Sequence, residues 1–178
     1  GMSRADIIQL LKATPEYVTK HTERKVEVPW VLARLTETDQ RILDIGSAES
    51  AYLSSLADVR ELVGLDPRKP VVELPTNMTY VRGDICNPPM RPYSFDAILC
   101  ISTIEHVGLQ AYGLPSFQEG DRTALHAMSM MLKKGGKLLL TAPYGRREDH
   151  GWLKVYSRDD WENLLREHRV VREDFYIC

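Results

Sequence analysis

Acidic residues stand at the ends of four apolar runs in this chain. "RILDIGSAES" (41–50) passes through Asp44 to Gly46, and "ELVGLD" (61–66) ends on Asp66. "MTYVRGD" (78–84) ends on Asp84, and "SFDAILCIS" (94–102) leads on to Glu105 and His106. A glycine lets backbone pass close to a ligand because no Cβ intervenes. The helix after it aims its first N–H groups at whatever sits there. A carboxylate about twenty residues further on can accept hydrogen bonds from both hydroxyls of a ribose. Asp84 can receive the exocyclic amino group of an adenine, with Ile85 against the ring. Glu105 and His106 bring acid–base groups. Taken singly, an aspartate after a strand is most simply a turn-former or helix cap. The ordered series is harder to explain as four separate turns.

The elements that must position these residues alternate. The first forty residues read as a helical cover, with Ile7, Ile8, Leu10 and Leu11 on one face and a second short helix around Trp30, Val31 and Leu35. Strands follow over 41–46, 61–66, 78–84, 94–102 and 137–143, each a short apolar run of the kind buried parallel strands show. Between them, 49–57 reads as a helix with Leu53, Leu56 and Ala57 inward. Pro67, Pro70 and Pro75 predict a loop rather than a helix before the third strand. Asp121 is placed to cap a helix carrying Leu125, Met128 and Leu132, ended by Gly135-Gly136. Ser157 and Asp160 form a capping box before Trp161, Leu164 and Leu165, and "RVVREDFYIC" (169–178) reads as a closing strand. The pattern predicts one α/β domain over 1–178: a cover over 1–40 and, over 41–178, a doubly wound, mainly parallel sheet. Ligands bind such sheets beyond the carboxyl ends of the strands, where the acidic series lies.

Composition narrows the function classes. A length of 178 residues allows one sizeable core. The formal net charge of −2 gives no global attraction to nucleic acid or membrane. The pairs Lys133-Lys134 and Arg146-Arg147 read as solvated loop or helix ends. No apolar run is long enough for a membrane helix, and no signal-peptide pattern opens the sequence. Gly1-Met2 reads as a tag scar before a native methionine. Cys86, Cys100 and Cys178 are unclustered, which points to no zinc site and to a reducing cytoplasm.

"RILDIGSAES", "LVGLD", "YVRGDI", "FDAILCISTIEHVG" and "LKKGGKLLLTAPYG" together resemble the successive motifs of class I S-adenosylmethionine-dependent methyltransferases, from about residue 41 to 143. "STIEHVGLQAYG" followed by "GD" is similar to a bacterial and archaeal subgroup often found among surface-glycan genes. The resemblance implies S-adenosyl-L-methionine as cofactor and a Rossmann-like fold. It implies Asp44 and Gly46 at the methionine end with Ser47 and Ala48 beside them, Asp66 and Pro67 at the ribose, Asp84 and Ile85 at the adenine, and Ser102 near the sulfonium. It further implies a small-molecule or glycan acceptor; the acid–base residues after strand four slightly favour O-methylation. The other reading is a non-catalytic domain of the same fold serving as a cofactor-binding or partner module.

The sequence departs from that family in three ways. Its loop lacks the two further glycines, Ala48 and Ser50 standing in their place; if either needed φ > 0, strain of order 1–3 kcal/mol would follow. Some related O-methyltransferases hold a divalent metal with a Glu three residues before a Glu-His pair, but Ser102 stands there, so no metal is expected. The family's final antiparallel strand is missing. Either the chain is truncated, or its terminal strand takes that place, or a partner completes the sheet, and an unpaired edge invites a homodimer.

A nicotinamide site is excluded because the second and third glycine positions of its motif are Ala48 and Ala51, and Asp44 would face a pyrophosphate. "NPPM" (87–90) precedes the fourth strand, so it is a proline-stiffened turn and not an amino-methyltransferase motif. If the acceptor must lose a proton, His106 is the first candidate base, beside Glu105; the same pair can instead cap the next helix. His150, Tyr144 and Tyr156 can approach from the loop after strand five. The loop 107–120, with Tyr112 and Phe117, is long enough to form a lid.

Overall fold

The computed structural model describes residues 23–58 and 60–176. The helix expected around Ile7–Leu11, and Cys178, lie outside them. Helix α1 (Arg24–Leu32) precedes strand β1 (Arg41–Ile45), followed by two 3-10 turns, Ser47–Glu49 and Ala51–Leu56. Strands β2 (Glu61–Asp66), β3 (Thr79–Arg82) and β4 (Phe95–Ile101) come next. Helix α2 (Gly120–Met131), strand β5 (Leu132–Thr141), the short strands β6 (Glu148–Asp149) and β7 (Lys154–Val155) and helix α3 (Arg158–Leu165) complete the order.

The main sheet runs β3-β2-β1-β4-β5 with every pairing parallel. Alternate residues of each strand face opposite sides, and both sides are covered. Ile42, Leu62, Ala97 and Leu99 pack under Val28, Val31 and Leu32 of α1 and Leu53 and Leu56 of the second 3-10 turn. Leu43, Val63, Leu65, Ile98 and Cys100 pack against Ala124, Leu125 and Met128 of α2 and Leu164 of α3. Burial on both faces is why the strands are continuous apolar runs. Strand order reverses between β1 and β4, so the crevice for a ligand opens at their carboxyl ends.

Four local expectations are corrected. The segment after Gly46 is two 3-10 turns rather than an α-helix, broken at Ser50 (φ −88°, ψ 56°). Helix α2 is preceded by Glu119, at φ 57°, rather than capped by Asp121. Asp121 instead accepts bonds from Lys154 Nζ (3.0 Å) and Tyr156 OH (3.1 Å) through Oδ2. Helix α2 stops at Met131, before Gly135-Gly136, because Leu132 already pairs with Phe95 in the sheet. The register then shifts so that Lys137 pairs with Ala97, leaving residues 133–136 outside the ladder. Residues 169–176 form no strand. That segment is held through side chains, with Asp174 accepting from Trp30 and Arg34 at 2.8 Å each. The capping box of α3 forms as expected, Ser157 and Asp160 bonding reciprocally.

Candidate functional site

The site begins at the turn leaving β1. Gly46 has φ +80°, and a Cβ there would meet the Thr103 side chain, 2.9 Å from Cγ2. Its N–H bonds Leu65 O at 2.9 Å, and Thr103 Oγ1 lies 3.2 Å from Ile45 O. The carboxyl ends of β1, β2 and β4 are thus drawn together around a position only glycine fits.

Beneath it, Asp44 is 1 % exposed and accepts the Tyr52 hydroxyl through Oδ1. Among the described residues its Oδ2 has no hydrogen-bond partner, although it is buried. Burial pushes the Asp44 carboxyl up to about 6, against bonds from Ser50 and Tyr52. A buried carboxylate oxygen without a donor costs free energy, and a cationic group above it would recover that cost.

At the end of β2, Asp66 receives the Ala48 N–H at 3.1 Å through Oδ2 and the Arg68 N–H at 2.8 Å through Oδ1. The first N–H groups after Gly46 therefore include one turned onto Asp66 rather than outward. The Arg68 guanidinium also lies on Asp66, while its Nη1 bonds Glu49 Oε1 at 2.7 Å. Asp84, after β3, closes a small turn by accepting Cys86 N–H at 2.9 Å, with Ile85 beside it 7 % exposed.

After β4, Ser102 sits at φ +41°, a strained backbone for a residue with a side chain. Its hydroxyl donates to Glu27 Oε1 of α1 at 2.7 Å. Glu105 is 1 % exposed, with Oε2 unpartnered among the described residues. Burial pushes its pKa up to about 8, nearby Glu27 adding to the rise and Arg24 opposing it. At neutral pH it is therefore protonated. His106 is neutral there, since burial holds its pKa below the ordinary value. Its Nδ1 faces Trp152 O, which can only accept, so Nδ1 carries the proton and Nε2 a lone pair. Trp152 stacks on the imidazole at 5.3 Å and Tyr112 meets it edge-on at 5.2 Å.

These elements enclose a cleft with about 760 Å³ of empty space, part of it open to solvent. Gly46, Asp66, Pro67, Asp84, Ile85, Ser102 and His106 all line it. Asp44, Ser47, Ala48 and Glu105 lie behind the lining, all buried. The loop after β4 forms the opposite wall through Leu109, Tyr112 and Phe117, among others. Its base is closed where Gly108 and Gly120 pack back to back, a Cβ on Gly108 falling 2.8 Å from Gly120 Cα. Tyr144, Tyr156 and His150 do not line the cleft; Tyr144 packs at a tilt against Phe175, Tyr156 is buried against Asp121 and His150 bonds Glu148. Among the described residues, no group of three or more His, Cys, Asp or Glu is arranged to hold a metal, and no helix is long and apolar enough to cross a membrane.

Arg24, Glu27, Arg68 and Trp152 were missed by sequence reasoning. Only Arg68 left a signal, since a turn "DPR" brings its third residue back over the first. Arg24 and Glu27 reach the site from α1, part of the segment read from sequence as a cover, without either residue being singled out.

A family model described as a methyltransferase domain matches residues 43–140. Among solved structures, a chain of the Haloferax volcanii complex between the Trm112 methyltransferase activator and a methyltransferase superposes with TM-score 0.64 at 16% identity, covering 84% of this chain and 69% of that one. A SAM-dependent methyltransferase from Archaeoglobus fulgidus gives TM-score 0.63 at 13% identity, covering 86% and 73%. Haemonchus contortus phosphoethanolamine N-methyltransferase 2, in complex with S-adenosyl-L-methionine, gives 0.59 at 20% identity, covering 78% of this chain and 36% of its own. No curated protein matches the sequence significantly.

Proposed function

The chain belongs to the methyltransferase domain family, and from that premise we propose that it transfers the methyl group of S-adenosylmethionine to a small-molecule or glycan acceptor. S-adenosylmethionine is the cofactor. The observation that carries the reading is the oxygen of buried Asp44 beneath Gly46, partnerless among the described residues and lying just behind the lining of a cleft that Asp66 and Asp84 help to form. Asp44 would take the α-ammonium group, Asp66 the ribose hydroxyls and Asp84 with Ile85 the adenine. When bound, the cofactor supplies an already activated methyl group, so the protein's main task is to align an acceptor with it.

The proton of that acceptor has a destination in this reading. His106 is neutral, lines the cleft and has Nε2 free of the Trp152 contact. Glu105 is protonated at neutral pH, so it does not act as the base there. This division favours an acceptor that loses a proton on attack, such as a hydroxyl. The loop carrying Tyr112 and Phe117 selects the acceptor.

The test is calorimetry with S-adenosylmethionine and S-adenosylhomocysteine, followed by acceptor trials with radiolabelled methyl groups. Lack of heat at millimolar ligand would refute the enzyme reading. The second reading, a non-catalytic module of the same fold, is favoured by one observation: the donors of Arg68 already fill Asp66. It predicts no methyl transfer and a protein partner instead. The Haloferax volcanii neighbour was solved with an activator, and the outer edge of β5 pairs with no strand among the described residues. A second copy is one candidate for that edge.

A further inference from the structure

We propose that Arg68 is a latch on the cofactor cleft: its guanidinium fills the Asp66 carboxylate that a ribose would need, and Tyr112 of the overhanging loop clamps it there. The proposal rests on the assignment of the cleft to S-adenosylmethionine. The Arg68 side chain folds back on its own turn, so that Nε lies 3.1 Å from Asp66 Oδ1 and Nη2 lies 3.2 Å from Oδ2. With the Arg68 and Ala48 N–H groups on the same two oxygens, the carboxylate has no room for further donors. From above, the Tyr112 ring centroid lies 4.1 Å from Arg68 Cζ. Tyr112 is held at φ 53°, outside the comfortable range for a residue with a side chain, and its edge meets His106. From the β3 side, the Tyr80 hydroxyl donates to Arg68 O at 3.0 Å and fixes the turn itself.

Two hydroxyls can reach Asp66 only after Nε and Nη2 withdraw. Glu49 makes that withdrawal feasible, because it holds Nη1 at 2.7 Å independently of Asp66. The guanidinium can swing on Glu49 with its charge still paired. Tyr112 then loses the cation beneath its ring, so the loop is released as the ribose arrives. Ribose binding and loop position are therefore linked through one side chain. A ligand that binds only the unlatched form has its apparent affinity reduced by the unlatched fraction.

Calorimetry with S-adenosylhomocysteine and adenosine on the wild type and Arg68→Ala tests this. Arg68→Ala should bind both ligands more tightly, by about tenfold if the unlatched form is a tenth of the molecules. The control is 2′,3′-dideoxyadenosine, which offers Asp66 no hydroxyls and should gain nothing. Equal or weaker adenosine binding by a folded Arg68→Ala overturns the latch and makes Arg68 a support for Asp66. Should Arg68→Ala not fold, Tyr112→Leu removes only the clamp and should also tighten adenosine binding; unchanged affinity there overturns the coupling. Wild-type binding with no gain in either variant defeats the latch alone. No heat from any variant at millimolar ligand defeats the cofactor assignment and the latch together.

Discussion

The Ser102 hydroxyl donates a 2.7 Å hydrogen bond to Glu27 Oε1 across 75 residues of chain, tying α1 to the carboxyl end of β4. Ser102 holds this place at φ +41°, so something must offset its strain. Among the described residues Glu27 Oε2 is buried without a hydrogen-bond partner, with Arg24 Nη1 3.8 Å away. Glu27→Ala should lower the unfolding free energy by about 1.5–3 kcal/mol, the range for a hydrogen bond to a charged group. Glu27→Gln keeps an acceptor for Ser102 and should cost less. Urea unfolding of both separates the bond from mere packing, since equal losses would show that the bond contributes nothing.

Gly46→Ala should be among the more damaging small changes in the chain. The new methyl would meet Thr103, which itself bridges toward β1, and the residue would have to hold φ +80°. Strain at such a position costs of order 1–3 kcal/mol, before any displacement of Thr103 is counted. Cofactor affinity and melting temperature should fall together. Retained affinity in calorimetry would mean that the turn relaxes without disturbing the cleft.

How much of this was legible in the sequence depends on how local each cause is. Strands β1, β2 and β4 were readable because burial on both faces leaves an uninterrupted apolar run, as in Leu62, Val63 and Leu65. Asp66 and Asp84 were readable as residues of the cleft wall because strand ends in such a sheet share one edge. The break at Ser50 was not, since the backbone there answers to Asp66 holding Ala48 N–H, a contact between separate elements. The direct passage from α2 into β5 depends on Leu132 pairing with Phe95, which no local pattern records. Val170 and Val171 suggested a strand, yet both are exposed and Asp174 holds the segment through Trp30 and Arg34. Glu27 behind Ser102 has the same character: ordinary types made specific by distant partners.

Glu105 should give stability a pH dependence that runs against the usual acid loss. Its folded pKa, about 8, lies above the ordinary carboxyl value of 4.5 that an unfolded chain would show. Between these values the folded state holds more protons, so its contribution is fully present below the unfolded pKa and is lost as pH rises through the folded one. Unfolding free energy should therefore decline from about pH 5 to about pH 8, with a slope of at most about 1.4 kcal/mol per pH unit from one proton. Glu105→Gln should flatten that decline. An equal slope in the variant, by urea unfolding across the range, would assign it to other groups.

Asp44 predicts opposite pH trends for stability and for cofactor binding. Its folded pKa of about 6 stands above the ordinary aspartate value of 3.8, burial being the first cause. Its contribution to the stability of the free protein is therefore present below the unfolded pKa and lost as pH rises through about 6. Binding runs the other way, because an α-ammonium group is attracted only to the ionised carboxylate and Oδ2 has no other partner among the described residues. Affinity for S-adenosylhomocysteine should be full above the free-state pKa and fall as pH drops through it, by up to about tenfold per pH unit. Asp44→Asn should bind weakly and without this dependence, and adenosine, which carries no ammonium, should be insensitive to Asp44 ionisation in both proteins. Calorimetry in buffers of different ionisation heat would show proton release on binding below about pH 6. A wild-type affinity that stays level from about pH 8 to about pH 5 would remove Asp44 from the methionine end, since a cation above this buried oxygen must feel its charge.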